Sequence, residues 1–401
     1  VSVLYWSPPN SVFHLPRLPF PLPCVAIVFS HKQIAASNTS STMPPLPEDQ
    51  HPQQHADQGS NASDDDGPIH LHRSELQEMA LTGVVDFVWE NLSYHVQVTG
   101  EDGQPARKTL LHSMSGTARG GRVLAVMGPS GAGKSTLFSA IIGRCAVDAE
   151  HELEGCVFLN DTVFSERYKK LVSFVAQDDI VMGKETPAEA LYFSCRVRLG
   201  LTHEEAVART EDTLTRLHLQ KCRDTYLGVP GLIKGVSGGE KKRTNIGNEL
   251  ITNPYIMLLD EPTTGLDSVN ALRVGELLKE LAHEDKRTVL CTIHSPSSEL
   301  FALFDDLLLL GKGHVIYHGP TVDAPAYFAS IGYPVPPRTN PSEYYMNLLQ
   351  LPLEELEKVW TAWEQYLVSP DADGNKSVAP AAADVTHKDA HLDARVDEKG
   401  S

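Results

Sequence analysis

Gly128-Pro129-Ser130-Gly131-Ala132-Gly133-Lys134-Ser135-Thr136 follows the apolar run Val123-Leu124-Ala125-Val126-Met127 and precedes a helical pattern over residues 137–142. This satisfies G-x-x-x-x-G-K-[ST] in the context that gives the pattern its meaning, a strand entering and a helix leaving. The glycines let the loop curl so that successive N–H groups face one centre, and the helix N-terminus adds its positive end. Such a loop cradles phosphates, with Lys134 reaching the terminal oxygens and the Ser135 hydroxyl reaching a phosphate-borne Mg2+.

Downstream, Ile256-Met257-Leu258-Leu259-Asp260-Glu261 reads as a buried strand ending in a carboxylate. With the phosphate loop in place, Asp260 is the second metal-side group and Glu261 is placed to polarise an attacking water. Shortly before it, Val236-Ser237-Gly238-Gly239-Glu240-Lys241-Lys242-Arg243 stands at the expected start of a helix. A serine hydroxyl and two glycine N–H groups there make a second anion-binding surface, which the phosphate loop of the same chain does not need.

The wider pattern agrees with an α/β fold. Strand-like runs at Val84-Val85-Asp86-Phe87-Val88, at Leu92-Ser93-Tyr94-His95-Val96 and at residues 123–127 are followed by a middle segment of helical spacing, about residues 185–250, with Thr202-His203-Glu204-Glu205 as a capping box. Further strands are expected at 256–259, 288–293, 307–310 and 315–317, with a helix over 268–283. Strands alternating with helices predict a mostly parallel sheet covered on both faces. Residues 1–80 are expected to be disordered, residues 81–350 to form the folded domain, and 351–401 to be a helix plus an acidic flexible tail. Leu353, Leu356, Trp360, Trp363 and Leu367 predict an amphipathic helix docked on its own domain. The chain starts at a valine, and Met43 is a candidate initiator for a start that reads as incomplete or artefactual.

The 401 residues carry a formal charge of −18, which argues against a protein that coats nucleic acid. Six cysteines are scattered without metal spacing, which points to a reduced setting. No window holds the ~18–20 apolar residues of a membrane span, so the chain as it stands is expected to be soluble.

Taken together, these motifs resemble the ATP-binding cassette family over about residues 84–350. The resemblance implies a RecA-like P-loop core with an antiparallel β subdomain and a helical signature subdomain. It also implies ATP hydrolysis with Mg2+ held by Ser135, Gln177 and Asp260. Ser237, Gly238, Gly239 and Glu240 would act in trans on a second nucleotide-binding domain. Gln177 in Val175-Ala-Gln177-Asp-Asp is similar to the Q-loop residue, Asp267 in Gly265-Leu-Asp267-Ser268 to the D-loop residue, and His294 in Thr292-Ile-His294-Ser-Pro to the switch histidine.

Residues 233–243, Thr292-Ile-His-Ser-Pro-Ser297, Ile331-Gly-Tyr-Pro and Asn340-Pro-Ser-Glu-Tyr-Tyr345 are similar to the G subfamily, of the white and pleiotropic-drug-resistance type. The adenine-stacking aromatic of most cassettes corresponds to Val96, with Tyr94 as the alternative, so loose nucleotide discrimination is expected. In that subfamily six membrane helices follow the nucleotide domain, which implies export of a lipid, sterol or xenobiotic at the cytoplasmic face of a membrane. None follows here, which leaves open a fragment, a truncated gene product, or a subunit that borrows a membrane partner. Two other readings fit less well. A soluble cassette ATPase on ribosomes or DNA carries two cassettes or a long coiled coil. A non-hydrolysing regulatory half would lack Glu261 or an intact signature.

Overall fold

The computed structural model describes residues 83–99, 103–148, 150–229 and 231–368. The expected disordered leader and the acidic tail lie outside the described residues.

Among the described residues, ten strands form two sheets. β1 (Phe87–Thr99), β2 (Pro105–Ala118), β4 (His151–Leu159) and β5 (Thr162–Val163) make an antiparallel sheet in the order β2-β1-β4-β5. β3 (Val123–Met127), β6 (Val172–Val175), β7 (Ile256–Leu259), β8 (Thr288–Thr292), β9 (Asp306–Gly311) and β10 (His314–Pro320) make the central sheet, ordered β10-β9-β3-β8-β7-β6. All its pairings are parallel except the β9–β10 hairpin. The end of the strand-like run at 84–88 and the whole run at 92–96 belong to one long strand, β1. Its register shifts between Trp89 and Leu92, around Asn91 at φ 51°, so a bulge interrupts the alternation there and the sequence reads as two pieces.

β3, β7, β8 and β9 are buried along their whole length, which is why they run as nearly unbroken hydrophobics. Successive residues enter different cores. Val123, Ala125, Met127, Met257, Leu259, Val289, Cys291, Leu307 and Leu309 face one core, which includes α5 (Ser268–His283) and the helical subdomain of α2 (Pro187–Leu199), α3 (His203–Arg216) and α4 (Gly238–Leu250). Leu124, Val126, Ile256, Leu258, Leu290, Leu308 and Leu310 face the other, with α1 (Lys134–Ile141) and the antiparallel sheet. The capping box at Thr202 is present, and Thr186 forms a second one at α2.

After the short α6 (Ser298–Phe301), α7 (Ala324–Ser330) and α8 (Pro341–Leu348), helix α9 (Leu353–Val368) docks on β10. The face it buries differs from the expected stripe. Leu356, Val359 and Trp363 are buried, whereas Leu353 and Leu367 are exposed, because the stripe turns off the contact at both ends of the helix. Trp363 stands 5.3 Å from Tyr317 and 5.2 Å from Tyr327, and Trp360 stacks on His314 at 4.1 Å. A buried tryptophan in such a cluster is the largest part of the docking energy of this helix. Trp363→Ala is expected to lower the unfolding free energy by ~3–5 kcal/mol, read by urea denaturation followed by circular dichroism. A loss well under ~1 kcal/mol would mean that α9 does not depend on this contact.

Candidate functional site

Parallel register decides where the site lies. Val126 pairs with Thr292, Leu259 with Cys291, and Val175 with Leu259, so β3, β8, β7 and β6 end almost level. The residues that follow those ends are Gly128, Asp260, Ile293 and Ala176, and a crevice at the carboxyl ends of parallel strands is where such sheets bind ligands.

The loop after β3 is held in shape from within. Gly133 takes φ 103° as the N-cap of α1, and Gly131 takes φ 77°. A Cβ on Gly128 would lie 2.4 Å from the Leu310 carbonyl oxygen, so only glycine lets the loop leave the strand here. The neighbouring β9–β10 turn braces it, with the Gly313 N–H donating to Ala132 O at 3.1 Å. Lys134 is buried and donates from Nζ to Gly128 O at 2.8 Å and to Pro129 O at 3.3 Å. Burial lowers its pKa, while the charges of Glu261 and Asp260 act in the opposite sense, which places both carboxylates in its electrostatic neighbourhood. Ser135 and Gln177 are exposed toward solvent.

Asp260 and Glu261 are coupled through a residue that the motif reading passed over. The buried hydroxyl of Thr292 donates to Asp260 Oδ1 at 2.6 Å and accepts from the Glu261 N–H at 2.7 Å. Glu261 sits at φ 46°, a left-handed conformation that an outside hydrogen bond helps to hold. Its Oε2 accepts from Gln177 Nε2 at 3.2 Å and from Thr264 Oγ1 at 2.9 Å, so the Q-loop side chain and the acid meet within one chain. His294 lies two residues past Thr292 on an exposed loop, with Ser295 Oγ 3.3 Å from its Nδ1. It lines a cleft of about 420 Å³ together with Pro129, Ser130, Asn340 and Ser342.

Ser237 caps α4, donating from Oγ to Glu240 Oε2 at 2.8 Å while its N–H donates to the same oxygen at 2.8 Å. Burial opposes ionisation of Glu240, but the bonds from Ser237 outweigh it and hold the pKa below the usual range. Among the described residues no hydrogen bond or ion pair joins residues 237–240 to residues 128–136. The signature helix reaches the site by another route: Lys242 is buried, donates to the Gln177 carbonyl at 2.7 Å and pairs with Asp179 at 2.7 Å. The run Lys241-Lys242-Arg243 is thus not a surface patch, since Lys242 and Arg243 both lie on the buried face of α4. Gly239, Lys242, Arg243, Ile246 and Leu250 share helical spacing, a signal that the charges obscured. Asp267 caps α5 through the Asn270 N–H, and the Asn270 side chain packs against Gly239.

Tyr94 is buried, and its hydroxyl donates to Ala146 O at 3.2 Å, so this ring is part of the core. Val96 instead lines an open cleft of about 310 Å³ with His95, Arg107 and His151.

Residues 111–264 match the sequence profile described as "ABC transporter". Over these residues the chain is similar to ABC transporters. The curated proteins it matches include ABC transporter G family members and Protein white. ABC transporter G family member 22 of Arabidopsis thaliana is 44% identical over 243 residues, 60% of this chain and 32% of that protein. Protein white of Drosophila melanogaster is 41% identical over 255 residues, 63% and 37% of the two chains. G family member 13 of Arabidopsis thaliana is 40% identical over 271 residues, 66% and 38% of the two. The chain therefore spans about a third of the length of the curated relatives it matches.

A second profile, described as "ABC-2 type transporter", covers residues 294–385. Up to residue 368 that stretch folds as β9, β10 and α6–α9, and no described helix is long and apolar enough to cross a membrane.

Thr292→Val keeps the shape of the strand end but leaves the buried Asp260 carboxylate without this donor. A lost bond to a charged group costs ~1.5–3 kcal/mol, so urea unfolding should show that loss for Thr292→Val and a markedly smaller one for Thr292→Ser. Equal stability of wild type and the valine variant would mean that the bridge contributes nothing.

Proposed function

We propose that the chain hydrolyses ATP and that ATP-driven closing and opening of a pair of such domains powers export of a hydrophobic substrate, of lipid, sterol or xenobiotic class, at the cytoplasmic face of a membrane. The observation that carries the reading is the convergence of Lys134, Asp260, Glu261 and Gln177 at one end of the central sheet. The G-family relatives support the transport part.

In this mechanism the N–H groups of residues 130–136 surround the phosphates. Lys134, already held over the loop by two carbonyls, transfers its bonds to the β- and γ-phosphate oxygens. Ser135, Asp260 and Gln177 offer oxygen donors only, the set a hard divalent cation takes, and they would hold Mg2+. Among the described residues no cluster of three His, Cys, Asp or Glu forms a metal cage, and a cation that rides on phosphate and keeps its waters needs none. When bound, Mg2+ neutralises charge on the phosphates. Glu261 polarises the water, and its bonds from Gln177 and Thr264 place the carboxylate before nucleotide arrives. His294 stabilises the γ-phosphate from the switch loop, and Asp267 couples the two sites of a dimer. Ser237, Gly238, Gly239 and Glu240 complete the site of the partner subunit, a reading supported by the lack of any bond from them to their own phosphate loop. Val96 provides no ring to stack on adenine, which leaves the base loosely selected.

Glu261→Gln keeps the shape but not the basicity of the carboxylate. It should bind Mg-ATP with unchanged affinity, turn over at least ~100-fold more slowly, and accumulate as a dimer on size-exclusion chromatography in Mg-ATP. Wild-type turnover in this variant would overturn the role of Glu261.

Ser237→Arg and Lys134→Ala should each be inactive alone, while their mixture regains ATPase activity, since one composite site then keeps both intact residues. Recovery excludes a site built wholly within one chain. Mixtures that stay inactive while the same proteins co-elute as a dimer in Mg-ATP would count against the trans arrangement.

A further inference from the structure

The loop that carries His294 is tethered on both sides, and the second tether comes from helix α8, outside every motif given a role above. On the first side, Thr292 is bonded to Asp260 and Glu261, and the Ile293 N–H donates to Val126 O at 3.0 Å. On the second, the carbonyl of buried Pro296 receives Asn340 Nδ2 at 3.1 Å and Ser342 Oγ at 2.9 Å. Between the tethers stand only His294 and Ser295, both exposed, the latter at φ 48°.

We propose that Asn340 and Ser342 are positioning residues for His294: by holding the Pro296 carbonyl they fix where the switch loop presents its imidazole to the nucleotide. The proposal rests on the hydrolytic reading of the site.

The chemistry of the two side chains supports the assignment. Asn340 is the N-cap of α8, and its Oδ1 accepts from the Ser342 N–H at 3.2 Å. That N–H can only donate and the Pro296 carbonyl can only accept, so the partners themselves orient the amide. Capping needs the oxygen alone, and an aspartate caps as well as an asparagine. The amide nitrogen is therefore surplus to the helix and serves the loop. Ser342 has no solvent exposure, and its hydroxyl lies 2.9 Å from both Pro296 O and Asn340 Oδ1, so a buried donor is committed to this junction. A proline carbonyl in a buried loop has no ladder partner and requires such donors. The same residues line the cleft that contains Ser130 of the phosphate loop and His294, so a shift of the tether moves the wall facing the γ-phosphate position.

The test uses the full chain carrying Asn340→Asp, which keeps the cap and loses the bond to Pro296, and Ser342→Ala, its counterpart without a new charge. Both should stay folded with only a small fall in the urea midpoint, and keep the wild-type KM for ATP. The kcat of Asn340→Asp should fall by roughly tenfold, and that of Ser342→Ala by roughly threefold, the scale of one neutral hydrogen bond. Each paired with His294→Ala should be no slower than His294→Ala alone, since residues that act as one unit are not additive. If His294→Ala hydrolyses ATP at the wild-type rate, the hydrolytic reading of the switch loop fails. If His294→Ala is impaired while Asn340→Asp and Ser342→Ala keep wild-type kcat, the proposal is overturned and the hydrolytic reading stands. Fully multiplicative losses in the double variants would also overturn it, because they would make α8 act apart from His294. Should Asn340→Asp lose its folded circular dichroism spectrum, Ser342→Ala carries the same comparison.

Discussion

The site depends on the parallel register of four buried strands. Val126 beside Thr292, Thr292 beside the end of β7, and Leu259 beside Val175 bring four chain segments, far apart in sequence, to one edge of the sheet. Because alternate residues feed two different cores, a slip of one residue would send every hydrophobic side chain to the wrong face. Burial of both faces thus specifies the register, and the register specifies which loops meet.

Loops that leave a sheet at this edge have carbonyl groups with no strand to accept from. In this protein, side chains that donate take over that role: Lys134 holds Gly128 and Pro129, Lys242 holds Gln177, and Asn340 with Ser342 holds Pro296. Thr292 does the same work on side-chain and backbone groups at once, tying a buried carboxylate to the left-handed Glu261. The result is a set of separately tethered loops around one crevice. Lysine bonds of this kind can be exchanged for bonds to phosphate, whereas the bridge at Thr292 is internal and stays with the scaffold.

The C-terminal lobe is part of this scaffold. Gly313 in the β9–β10 turn bonds to the phosphate loop, and β10 in turn carries the aromatic cluster that docks α9. Helix α8, in the same lobe, reaches the switch loop. A stretch matched by a profile described as "ABC-2 type transporter" therefore contributes packing to the central sheet and hydrogen bonds to the loop that carries His294.

Local chemistry was enough to propose the phosphate loop, the acidic pair after β7 and the signature, because a P-loop requires glycines, a lysine and a hydroxyl at fixed spacing whatever surrounds them. Hydrophobic runs and periodicity likewise determined β3, β7, β8, β9 and β10 and helix 268–283, where propensity and burial act in the same direction, but not the short edge strand β6. The long, bulged β1 and the buried pair Lys242–Arg243 were not legible: a bulge breaks the period of two, and a charged side chain reads as exposed until its partners are known. Thr292, Asn340 and Ser342 carry no motif that identifies a partner. Their roles arise only when a strand end and a helix start, distant in the chain, are brought within hydrogen-bond reach, and that proximity is set by packing, which no single segment encodes.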